Sequence, residues 1–112
     1  MTRILFSRSE DGQIAYVDLQ GHAGFADEGE DIICAAITSA IQLTHVLLED
    51  ILKLVFDTEV EQEGTHIRLS FPPEARKAAQ PMLEALRIHY NELQENYAEF
   101  IQVMEVHSHA EN

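Results

Sequence analysis

Apolar residues open the chain in a short run, Ile4, Leu5 and Phe6 within Thr2 to Ser7, and the turn-forming cluster Glu10-Asp11-Gly12 ends it. Ile14 to Leu19 then alternates imperfectly around Tyr16-Val17-Asp18, so the two runs predict a β-hairpin with Asp11-Gly12 near its turn. Between Gly21 and Asp31 the pattern vanishes. That stretch, GHAGFADEGED, holds three of the chain's five glycines and four acids in eleven residues, and it reads as an exposed, mobile loop. From about Ile33 to Val55 a helical period takes over, with Ile37, Ile41, Leu48, Ile51, Leu52 and Val55 along one stripe. Ala35, Ala36 and Ala40 keep its first turns small, and Asp31 stands where an N-cap is expected.

The second half repeats the scheme. Asp57 to Glu63 and Thr65 to Phe71 predict another hairpin, with Gly64 in its turn and His66, Arg68 and Ser70 alternating with Ile67, Leu69 and Phe71. Pro72-Pro73 ends the strand, and a second helix is expected from about Glu74 to Tyr97. Pro81 inside that span predicts a kink or a later start. A last strand is expected over Glu99 to Val106, followed by a frayed tail from His107 to Asn112. The order describes one α+β domain over residues 1–112, a mainly antiparallel sheet covered by two long helices.

Composition narrows the function. The 112 residues suffice for one core and not two, and 46% hydrophobic content argues against global disorder. Twenty acids against seven Lys and Arg give a net charge of −13, which repels phosphate backbones and anionic lipid and favours a basic partner. No apolar run is read as approaching the roughly 18–20 residues of a membrane span, and no signal-peptide pattern opens the chain. A lone cysteine excludes an internal disulfide and a cysteine-rich zinc site. The expected setting is cytoplasmic, without nucleic acid or membrane as a partner.

That cysteine, Cys34, falls at the expected helix start. Free N–H groups there favour thiolate, and those of Cys34 and Ala35 are candidates for holding an oxyanion. His22 lies twelve residues earlier, where the loop leaves the strand, and a loop of that length can fold back to make a Cys/His pair. Each residue also has a plainer reading. A lone cysteine is often a small buried hydrophobe, a loop histidine is often just solvated, and Asp31 is simplest as an N-cap. Thr38, one turn below Cys34, is placed either to meet the sulfur or to bond its own helix. His107 and His109 form an H-x-H without further ligands, and the acids Asp27, Glu28, Glu30 and Asp31 lack the spacing of a calcium loop, so no metal site is assigned.

Gly21-His22-Ala23-Gly24-Phe25-Ala26, then Gly29 and Asp31-Ile32-Ile33-Cys34-Ala35-Ala36, resembles the signature of the Prp family of bacterial ribosomal-processing cysteine proteases. The family pattern is a GHAG loop followed by an acidic-hydrophobic run into D-I-x-C-A-A, and the resemblance extends over essentially the whole chain. It implies Cys34 as nucleophile and His22 as general base and then acid, with no metal and no cofactor. It further implies an α/β sandwich, a homodimer, and a substrate loop, here Gly21, Ala23, Gly24 and Phe25, that orders over bound peptide. The implied substrate is the basic large-subunit ribosomal protein numbered twenty-seven, whose N-terminal extension is removed. Asp31 is the candidate for orienting His22. Thr38 stands where the family commonly has serine, which keeps the hydroxyl and adds a methyl.

Two other functions fit the same residues. One is a non-enzymatic, ribosome-associated acidic module that binds a basic ribosomal protein. The other is a cysteine hydrolase acting on a different substrate. Thiol reactivity separates the binder from both enzymes.

Overall fold

In the computed structural model, residues 1–21, 28–61 and 66–107 are described, with only the backbone described over 28–31. The expected first hairpin forms. Strand β1 (Thr2–Arg8) pairs antiparallel with β2 (Ile14–Gln20), and Gly12 supplies the turn with a positive φ of 89°. The second hairpin forms too, from β3 (Asp57–Val60) and β4 (His66–Ser70); the expected turn glycine, Gly64, lies outside the described residues. The final strand, β5, covers Ile101–His107.

The sheet order is β3-β4-β2-β1-β5. Three pairings are antiparallel, and β5 runs parallel to β1, joining the two ends of the chain in a mixed sheet. Alternation along the strands gives one apolar face: Ile4 and Phe6 of β1 lie beside Leu19 and Val17 of β2, with Leu69 and Ile101 in the same core.

Two helices cover that face. Helix α1 spans Glu28–His45 and continues as a π-helical turn, Val46–Ile51; α2 spans Pro73–Asn96. Ile33, Ile37, Ile41 and Leu48 bury the α1 stripe, while Ala79, Leu83, Leu86 and Tyr90 bury that of α2. Over Ile32–Ile51 the mean hydropathy is 1.6, long and apolar enough by length and composition to cross a membrane, where the sequence reading found no such run. Part of that apolar surface is the stripe packed on the sheet, as in the core helix of a globular domain.

The helix boundaries differ from expectation. Helix α1 begins five residues before Ile33, so Asp31 is its fourth residue and not its N-cap. Glu28, Glu30 and Asp31 sit at the end where the positive pole of the helix dipole favours acids. At the other end the expected stripe fails. Ile51, Leu52 and Val55 are exposed, because the wider π-helical turn shifts the phase and Lys53 then takes a left-handed φ of 57°. Helix α2 starts at Pro73, a position that needs no intrahelical N–H partner, and runs on through Pro81. Pro81 lies on the exposed side with Lys77, so the carbonyl it leaves unbonded has water available.

Polar side chains tie the layers together. Gln80 accepts from the Ile14 amide at 2.8 Å and donates to the Ile14 carbonyl at 2.9 Å, docking α2 on β2. Arg8 of β1 meets Glu84 of α2 at 2.7 Å, which holds the Glu84 carboxyl down at about 2.

The sheet face opposite the helices carries a second cluster. Asp18, 5% exposed, accepts from His66 at 2.7 Å and from Arg68 at 2.9 Å, and the Arg68 guanidinium lies 4.1 Å from the centre of the Tyr16 ring. The hydrogen bond to Asp18 raises the His66 pKa above its ordinary 6.5, with Glu61 adding to the effect. A raised pKa means the folded state holds the proton more tightly. The stabilisation is therefore complete below the ordinary imidazole range and is lost as pH rises through the folded value. Urea melts are expected to show stability falling with pH above about 6.5 in the wild type, and Asp18→Asn should flatten that slope.

Candidate active site

Cys34 is half-buried in the second turn of α1. Its Sγ lies 3.6 Å from Oγ1 of Thr2, the first residue of β1, which is itself 4% exposed. Thr2 is fixed in turn by its amide, which donates to the Phe100 carbonyl at 2.9 Å. The hydroxyl at the thiol is thus Thr2's. Thr38, expected as a possible partner for the sulfur, is exposed at the mouth of a groove farther along α1.

The same end of the sheet receives the residue before His22. Gln20 closes β2, paired with Arg3 on one side and with His66 on the other, and Gly21 follows it. The strand that leads to His22 therefore ends one residue pair from Thr2. His22, Ala23, Gly24 and Phe25 lie outside the described residues, as does the side chain of Asp31.

The earlier helix start changes one piece of the expected chemistry. With α1 beginning at Glu28, Cys34 and Ala35 are its seventh and eighth residues. Only the first four amides of a helix lack an intrahelical acceptor, so those of Cys34 and Ala35 belong to the i→i−4 ladder. They are not the free oxyanion donors that the sequence suggested, and the dipole argument for a thiolate at the helix terminus weakens over the same turn.

A groove of about 280 Å³ lies between α1 and the β3–β4 hairpin, with Thr38, Ile41, Val60, Ile67 and Leu69 along it. Among the described residues no group of three or more His, Cys, Asp or Glu side chains is placed to hold a metal. His45 bonds Thr58, His66 bonds Asp18 and Glu61, and His107 lies 3.9 Å from Glu105. His109 lies outside the described residues.

The sequence profile of the cysteine protease Prp family matches residues 1–102. The chain belongs to that family. It is 27% identical to the ribosomal processing cysteine protease Prp of Bacillus subtilis over 109 residues, covering 92% of this chain and 96% of the relative. The fold agrees with solved Prp structures. The essential ribosomal processing protease Prp of S. aureus in complex with a substrate peptide superposes with a TM-score of 0.86 at 19% identity, over 94% of this chain and 99% of that one. The same S. aureus protease with a covalently linked product peptide gives 0.82 at 20% identity, over the same shares of the two chains. A Streptococcus mutans protein gives 0.85 at 24% identity, with 96% of each chain covered. At these identities the structural likeness shows the α+β fold, and the profile match shows the family.

Thr2 had no signal in the sequence, since only the fold brings it across 32 residues to the thiol. Its role in this Prp-family site is testable. Thr2→Val removes the hydroxyl and is expected to slow iodoacetamide alkylation of Cys34 about tenfold at fixed, mildly acidic pH, as for a lost hydrogen bond to a charged group. Thr2→Ser should keep the wild-type rate.

Proposed function

We propose that the protein is the endopeptidase that removes the N-terminal extension of a basic large-subunit ribosomal protein, number twenty-seven, in the cytoplasm. The observation that carries this is simple. The chain belongs to a family of cysteine proteases and contains one cysteine, so Cys34 is the thiol available to do the chemistry. The S. aureus structures with a substrate peptide and with a covalently linked product peptide support a peptide substrate.

In this reading the Cys34 thiolate attacks the scissile carbonyl, forming a C–S bond and a tetrahedral oxyanion. His22 then gives its proton to the leaving amine, the C–N bond breaks, and a thioester remains on Cys34. Water attacks the thioester with His22 as base, releasing the second product and the thiol. Asp31 orients His22, and Thr2 fixes the sulfur. Gly21, Ala23, Gly24 and Phe25 are the proposed substrate loop, as the family resemblance implies. The net charge of −13 steers a basic substrate to the site.

The proposal includes a homodimer. The outer faces of α1 and α2 support it, where Ile32 and Leu43 are 66% and 65% exposed and a 500 Å³ groove between the helices is lined largely by apolar side chains. Light scattering at micromolar concentration is expected to give twice the 12.7 kDa chain mass, and Leu43→Glu should halve it. A monomeric wild type removes the dimer from the proposal.

Alkylation tests the chemistry independently of substrate. Cys34 should react rapidly with iodoacetamide at mildly acidic pH. An inert thiol, together with binding of the ribosomal protein that weakens with salt and survives Cys34→Ala, would favour the acidic binding module.

A further inference from the structure

Register places a row of side chains across the face of the sheet opposite the helices: Asp57 of β3, Ser70 of β4, Tyr16 of β2, Ser7 of β1 and Val106 of β5. Beside that row lies a depression of about 380 Å³, whose polar lining comes from Ser7, Tyr16, Ser70 and Arg76. Ala15, Phe71 and Val106 supply the apolar part. Ala15 is the extra residue of a bulge, since Ser7 pairs with Tyr16 and Arg8 with Ile14, and its carbonyl takes the Phe71 amide at 2.8 Å.

The polar groups at this place are short of partners. Ser7 is only 5% exposed, yet its hydroxyl makes no hydrogen bond among the described residues. No fully buried side-chain N or O there lacks a partner, so the little of Ser7 that is exposed includes the hydroxyl, which opens on the depression. The Ser70 hydroxyl and the Tyr16 phenol make no hydrogen bond either, among the described residues. Arg76 is fixed at its Nε, which donates to the Phe71 carbonyl at 2.9 Å, and both Nη groups are left without an acceptor among the described residues. Asp11 shares a neighbouring hollow with Arg76, but its carboxylate accepts from the Ser9 hydroxyl and the Gln13 amide. Among the described residues no carboxylate lines the depression itself.

A chain with seven Lys and Arg against twenty acids thus keeps one guanidinium fork idle beside three idle hydroxyls. Arg68, 4.1 Å from the centre of the Tyr16 ring, steadies the phenol that carries one of them. Three O–H donors and an Nη fork exceed the roughly four acceptor positions of a carboxylate, and they suit the three terminal oxygens of a phosphoryl group. The apolar part of the lining suits a carbon body attached to it. Thr2 meets the Cys34 sulfur on the helix side of the sheet, so this place is separate from the candidate nucleophile.

We propose that the depression is a binding site for a small phosphate monoester. Arg76, Ser7, Ser70 and Tyr16 hold the phosphoryl group, and Phe71 and Val106 cover the carbon part.

Isothermal titration calorimetry of the full-length protein at fixed ionic strength tests this, with phenyl phosphate, inorganic phosphate and benzoate as probes. One site per chain is expected, with phenyl phosphate bound most tightly, inorganic phosphate next and benzoate least. Ser7→Ala and Arg76→Gln should each weaken phenyl phosphate about tenfold, as for a lost hydrogen bond to a charged group. Ser7→Ala removes an oxygen that bonds nothing in the described structure, so its urea midpoint should match wild type and its loss of binding reports the site. Lys77→Gln removes a neighbouring exposed cation and should change the affinity less than about twofold, because screened charge at a distance contributes little. A wild type that shows no saturable binding of phenyl phosphate overturns the proposal. So does a loss in Lys77→Gln as large as that in Arg76→Gln, which would mean attraction by charge alone. Benzoate bound as tightly as phenyl phosphate overturns it too, since nothing would then recognise the phosphoryl group.

Discussion

Cys34→Ala is expected to cut no peptide while folding as the wild type does. The sulfur is half-buried, and the described contact it makes through a polar atom is with the Thr2 hydroxyl, so its loss leaves no large cavity and no charge without a partner. Far-UV circular dichroism and the urea midpoint should stay close to wild type. The chemical loss is of another order. Without the thiol no thioester forms, and removal of a protease nucleophile costs on the order of 10⁶ in kcat where it has been measured. His22→Ala should lose at least about 10³, because the thiol would keep its place but lack a group to protonate the leaving amine. The two losses should not multiply in the double variant, since the pair acts as a unit.

Tyr90→Ala is the substitution with the largest expected effect on stability. Tyr90 is fully buried in the C-terminal half of α2, its ring tilted against Phe6 of β1 at 6.3 Å between centres, and its hydroxyl donates to the Ile37 carbonyl of α1 at 2.8 Å. It thus joins both helices to the sheet one turn from Cys34. Burial also pushes its phenol well above the ordinary value of 10, so it stays a neutral donor at any working pH. Truncating a buried aromatic to Ala costs about 3–5 kcal/mol, a large part of the 5–15 kcal/mol typical of a small domain. Tyr90→Phe keeps the packing and should lose only about 1 kcal/mol. The difference between the two in a urea titration divides ring from hydroxyl. A Tyr90→Phe loss as large as that of Tyr90→Ala would mean that the bond to α1, and not the ring, holds the layers together.

Much of the fold was legible because local chemistry announced it. Alternation over Ile14 to Leu19 and Thr65 to Phe71 announced the strands that form as Ile14–Gln20 and His66–Ser70, and Asp11-Gly12 marked the first turn. What failed was local too, but ambiguous. The acids between Asp27 and Asp31 suit a solvated loop and a helix first turn equally, and only the backbone shows that α1 begins at Glu28. That single shift moved Asp31 out of the cap and took the amides of Cys34 and Ala35 out of play as oxyanion donors. Ile51, Leu52 and Val55 continued a periodic stripe on paper, and the π-helical turn broke its phase.

Pairing was illegible for a different reason. Nothing in the sequence states that β5 runs parallel to β1 or that Thr2 reaches Cys34, because both depend on strand order and register. His66 and Asp18 were visible as polar positions on alternating strands, yet their contact across 48 residues needed the β2–β4 register. The candidate nucleophile itself was legible. The chain has a single cysteine, and the motif around it carries the family signature.

The measurement closest to the central claim is intact-mass spectrometry of a peptide spanning the extension of the ribosomal protein, incubated with wild type and with Cys34→Ala. The account predicts two fragments whose masses sum to the peptide plus one water, formed by the wild type and absent with the variant. An intact peptide in both reactions, or the same cut made by both proteins, would contradict it.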